Sequence, residues 1–236
     1  MTSDKFSHAT RTGGNTALLP ALPNYLVKFF LSLACLLAIG CESVYYNAWE
    51  KLGVEKRDIL VDRVEDARDS QEDAQEQFSS ALEQFSALVN FDGGDLEKVY
   101  NRLDDEYQDS VAAADKVSSR IADIESVAKA LFSEWQDEIA QYTNTRFRAD
   151  SQTQLNNTKA RYAELERSLR TAERSMAPVL ATMKDNVLYL KHNLNARAIG
   201  ALRGEYLTIK RDIDNLLIEM NAAITRSNQF IATLEK

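Results

Sequence analysis

The spacing of apolar residues constrains this chain more than any other feature. Leu60, Val64, Ala67, Gln71, Ala74, Phe78, Ala81, Phe85 and Leu88 fall in steps of four and three. That is the seam of a helix packing against other helices, with one polar member. A second seam runs Leu96, Tyr100, Leu103, Tyr107, Ser110, Ala114, Val117, Ile121, Ile124, Ala128, Leu131, Trp135, Glu138 and Tyr142. A third runs from Leu155 through Thr158, Tyr162, Leu165, Leu169, Ala172, Met176, Val179, Met183, Val187 and Leu190 to Leu194. Ile199, Leu202, Tyr206, Ile209, Ile213, Leu216, Met220, Ala223, Ser227, Phe230 and Leu234 make a fourth, shifted in phase from the third.

Breakers fall between the seams. Asn90–Asp95 reads NFDGGD; Gly93 and Gly94 permit a positive φ at a helix end, and Asp95 can cap the next start. Thr143–Thr153 reads as the second turn, with Asp150 or Ser151 as the cap. Pro178 lies inside the third seam, where proline kinks or splits a helix; Ser175 could cap a fresh start there. A break near Asn193–Ala196 explains the final phase shift, and a continuous helix with a stutter explains it too. The whole chain has only three prolines and eight glycines. The expected fold is all-α: an elongated antiparallel bundle of about four long helices with coiled-coil heptads, in up-down-up-down order because the connections are short.

Charge divides along the chain. Net charge is −6 over 55–89 and −7 over 95–142, then +4 over 146–194 and +1 over 197–236. The acidic front and basic back are expected to attract within one molecule, steering pairing more than stabilising it. An overall net charge of −8 does not suit nucleic acid.

Ahead of the bundle stands one continuously apolar run, KFFLSLACLLAIGCES, Lys28–Ser43. Phe29–Ile39 carries no charge, but it is short of the ~20 residues that span a bilayer. A positive charge, a short apolar stretch and a small residue before a cut make a signal peptide. LAIGC, Leu37–Cys41, resembles the lipobox of bacterial lipoproteins, with Ala38 where that family prefers leucine. The resemblance implies cleavage after Gly40 and acylation of Cys41. An uncleaved anchor helix, ordinary secretion and a core helix are the competing readings. Residues ahead of Lys28 are rich in Ser, Thr, Gly and Asn, long for a leader. A non-standard start near Leu26 or Val27 is expected, with a disordered extension as the alternative. The domain plan is a leader over 1–40, a tether over 41–54 and the bundle over 55–236.

The block YYNAWEKLGVEKRDILVDRVEDAR, Tyr45–Arg68, resembles the opening of a gammaproteobacterial family of predicted lipoproteins known only as a domain of unknown function. Membership implies no activity and favours a bacterial cell envelope.

Candidate sites are few. Tyr45, Tyr46 and Trp49 could sit at a lipid headgroup layer beside Lys51, Lys56 and Arg57, or close one end of the bundle. Glu138, Gln71, Ser110 and Thr158 could form a small polar pocket, or fix register as polar seam residues do. The acidic run Glu65–Glu76 lacks a loop glycine and does not match a calcium loop. The only histidines, His8 and His192, stand far apart, so no metal site and no triad base are expected. No P-loop, HExxH or nucleophile-elbow pattern occurs. The expectation is a non-catalytic envelope lipoprotein without cofactor, tethered to membrane at Cys41 and facing the periplasm. Outer membrane is preferred because Glu42 is not the aspartate of inner-membrane retention. Its work would be structural, scaffolding or binding, with a protein partner or self-association through helix faces. The alternative is a peripheral or stress-related coiled coil that touches lipid through its helices, for which the arginine-rich region 146–211 is the candidate surface.

Overall fold

The computed structural model describes residues 55–234 apart from Asp92 and Gly94. Four helices succeed one another: α1 (Lys56–Val89), α2 (Leu96–Gln141), α3 (Thr145–His192) and α4 (Ala196–Leu234). Sequence neighbours pack side by side and α1 packs on α4, closing a ring. Every adjacent pair is antiparallel. Lys56 meets Glu134 and Gln77 meets Glu106 across α1 and α2. Arg170 meets Glu125 and Ser151 meets Trp135 across α2 and α3. Arg226 reaches Glu164 across α3 and α4. Between α1 and α4, Arg68 reaches Asn228 at one end and Arg203 donates to the Val89 carbonyl at the other. At 1.5 Å per residue, α3 runs about 70 Å.

The seams form one core. Leu60, Phe78, Leu88, Ile121, Ile124, Leu165, Leu169, Met176, Leu190, Ile213 and Leu216 are all fully buried within it. Burial of this stripe is the main stabilising term, at roughly 25 cal/mol per Å² of apolar surface. The buried serines are handled locally. Ser110 donates to the Glu106 carbonyl at 2.7 Å, and Ser227 donates to that of Ala223 at 3.0 Å. These hydroxyls complete their bonding within their own helix. Gln71 differs: it is wholly buried, and neither amide atom has a partner among the described residues.

Asparagine and aspartate set the helix starts. Asp95 accepts from the backbone of Glu97 and Lys98. Asn195 accepts from Arg197 and Ala198 at 3.0 and 3.2 Å. The third and fourth seams are therefore separate helices, and the phase shift is a break. In the first turn Gly93 takes φ of +155°, a conformation L side chains rarely adopt.

Four expectations need correction. The second turn is shorter than TNTRFRADSQT: Asn144 caps α3 in place of Asp150 or Ser151, accepting from Arg146 and Phe147 at 2.9 and 3.2 Å. Pro178 does not split α3, which continues through it, and Ser175 bonds back to the Thr171 carbonyl without capping a new start. Glu138 and Tyr142 are exposed, while Ile139 is buried. The seam drifts there because α1 begins at Lys56, opposite Glu134, and α2 has no α1 residue to face beyond it. Leu194, the expected last member of the third seam, lies past the end of α3 and is exposed.

Candidate functional site

At the end where the chain enters α1, the four helices do not finish level. α4 ends at Leu234, and the α2–α3 hairpin continues past both α1 and α4. From Glu134 to the end of α2 is about 10 Å at the helical rise. A cavity of about 870 Å³ opens in the step. Glu55, Lys56, Arg57, Glu134, Glu138 and Arg161 supply its charge, and Leu131, Trp135 and Leu234 its apolar wall. Lys56 is buried and donates to Glu134 at 3.0 Å. Trp135 donates its indole N–H to Ser151 at 2.9 Å, fixing the ring against the hairpin.

Of the polar seam residues, Glu138 and Thr158 both line this cavity. Gln71 and Ser110 do not; they belong to the bundle interior. The step is a surface for polar and amphipathic contact, since carboxylates, guanidinium groups and one indole converge there.

Behind it, Tyr162 sits edge-on to Phe132 and Phe230, with centroids 5.4 and 6.2 Å away, and links three helices. Burial pushes its hydroxyl pKa strongly up; the charges of Glu166 and Glu125 add to this and Arg170 opposes it. Arg170 in turn grips Glu125 through Nε at 2.7 Å and Glu173 through Nη1 at 2.8 Å. Ser118 donates to the other Glu173 oxygen at 2.5 Å. Burial alone would raise the Glu173 carboxyl. The bonds from Ser118 and Arg170 outweigh it and hold the group below the usual carboxylate range. This network ties α2 to α3.

The hairpin tip was not legible as a site. Every residue from Gln141 to Asp150 is exposed. Phe147 shows 58% of its surface and Tyr142 40%. Arg146 and Arg148 stand at the start of α3, which holds no acid in its first turn. Cations at a helix N-terminus oppose the macrodipole, at roughly 0.3–1 kcal/mol each. Two local contacts offset part of this: Arg146 lies 3.9 Å from Asp150, and Arg148 donates to the Tyr142 carbonyl. The available signal was RFR placed against the dipole, masked by reading Tyr142 as core.

Cys41, Gly40, Tyr45, Tyr46 and Trp49 lie outside the described residues, as do the leader 1–40 and the tether 41–54.

Fold and site together define a closed antiparallel four-helix bundle with a cavity at one end. The family model described as "Protein of unknown function (DUF2959)" matches residues 45–234, and the chain belongs to that family. The match begins at Tyr45, where the resemblance in the sequence begins. No curated protein and no solved structure matches the chain.

Proposed function

We propose that the protein is a non-catalytic bacterial envelope lipoprotein, held to a membrane through lipid on Cys41 and presenting its bundle to the periplasm as a spacer or binding scaffold. One observation carries this reading. Cys41 comes directly after a charge-free apolar run and a glycine, just ahead of the family-matched region starting at Tyr45. The bundle supports it. The heptad stripes are spent on the interior, leaving charged outer faces suited to an aqueous compartment. The cavity at the end where α1 begins, with its paired charges and Trp135, is the surface we assign to binding. Glu42 favours the outer membrane as the anchored face.

Intact mass of the membrane-extracted protein tests the proposal. The expected species begins at Cys41 and carries the mass of acyl chains. A polypeptide beginning upstream of Cys41, or recovered in the soluble fraction with an unmodified thiol, refutes it.

A further inference from the structure

We infer that the α2–α3 hairpin tip is a second, non-covalent membrane contact that seats Tyr142, Phe147 and two arginines in an anionic lipid headgroup layer. This rests on the lipoprotein reading, which puts the bundle beside a membrane. The tip projects past the start of α1.

Three observations select lipid as the occupant. Phe147 is 58% exposed on a turn where every neighbour is exposed, so it packs no core. Tyr142 joins it, giving two exposed rings, one with a polar edge, the chemistry that partitions to headgroup depth. Arg146 and Arg148 flank Phe147, and the stretch 142–150 holds one acid, Asp150. Both cations occupy the helix end where the dipole disfavours them, and their local contacts offset only part of that cost. Attraction to anionic headgroups would offset the rest. The rest of α2 is acidic, which opposes contact along that helix.

The test places an environment-sensitive dye on Thr145→Cys of the membrane-extracted protein, where acylation leaves no other free thiol. A chain that retains residues 1–40 takes Cys35→Ser and Cys41→Ser as well. Lys191→Cys, exposed at the far end of α3, is the control. Vesicles of phosphatidylethanolamine with phosphatidylglycerol are compared with phosphatidylcholine alone. The tip dye is expected to brighten and shift to the blue on the anionic vesicles only, while the Lys191 dye does not. Replacing Arg146 and Arg148 by alanine reduces the inserted fraction by roughly fivefold per residue, with unchanged far-UV circular dichroism. Equal emission from tip and control on both vesicle types overturns the inference, as does a tip signal that tracks protein concentration without vesicles. Intact mass reports Cys41 separately. The dye therefore distinguishes a failed tip from a failed lipid anchor.

Discussion

Gln71 offers the sharpest test of how this core is held together. Its side chain is wholly buried in α1, and neither the amide oxygen nor the amide nitrogen has a hydrogen-bond partner among the described residues. Its neighbours along the seam, Ala67 and Ala74, have no polar side-chain atom to offer. Desolvating an amide without replacing its bonds costs about 1–3 kcal/mol on mutational scales. Gln71→Met keeps nearly the same volume and removes both polar atoms, so cavity and overpacking terms stay small. The expected gain is that same ~1–3 kcal/mol, or roughly 2–12 °C in Tm for a domain of this size. Urea unfolding monitored at 222 nm should show a higher midpoint at unchanged slope. A midpoint that falls would refute the reasoning, because it would mean that the amide is satisfied in solution. Light scattering on the same samples reads the other role of a polar seam residue. If Gln71 fixes register or partner number, the variant gains stability and loses a single oligomeric state.

Two further outcomes concern the helix interior and its bridges. The Glu173 carboxyl is depressed below its ordinary value of 4.5, so its stabilisation is present above that value and lost as pH falls through the lower folded one. Glu173→Gln should lower stability at pH 7 by roughly 1–2 kcal/mol, with a deficit that shrinks as pH falls below 4.5, read as urea midpoints at each pH. Pro178 is exposed inside α3 and supplies no N–H to the Arg174 carbonyl. Pro178→Ala should stabilise by about 1–3 kcal/mol in the same urea measurement, and a loss of stability would show that Met176 and Val179 pack on the bend the proline makes.

The parts of this fold that sequence made legible are those set by one repeating stripe. Each seam became a helix, and the phase shift near Asn193 marked a true break because Asn195 caps α4. Errors gathered where the stripe loses its partners. Glu138 and Tyr142 kept the heptad step, but α1 does not extend to meet them, and Ile139 took the buried place. The cap of α3 was misplaced because Asn144, Asp150 and Ser151 are all competent cap residues, and local chemistry did not rank them. The cavity was invisible for another reason. Its walls come from 55–57, 131–138, 154–161 and 233–234, segments whose meeting depends on where each helix stops. Glu138 and Thr158 were each legible as a polar break in a seam, but neither seam shows that they line one cavity.

The charge division has a different consequence from the one its pattern suggests. Ring order makes α1 and α2 neighbours and α3 and α4 neighbours, so the rod has an acidic side and a more basic one. Yet the cations of the acidic half bind within it: Lys56 to Glu134, Lys116 to Asp73, and Arg120 near Asp66 join α1 to α2. Between the halves stands the Arg170–Glu125 bridge. Exposed pairs are worth ~0–1 kcal/mol each, and with a Debye length of about 8 Å at physiological salt the two faces are largely screened from one another across the bundle. Opposite charge is thus a weak cause of the ring, and burial of the seams must choose the pairing. What remains for the charge is orientation. Against an anionic surface the acidic α1–α2 flank would be repelled, while the more basic α3–α4 flank and Arg146 and Arg148 at the tip would be attracted.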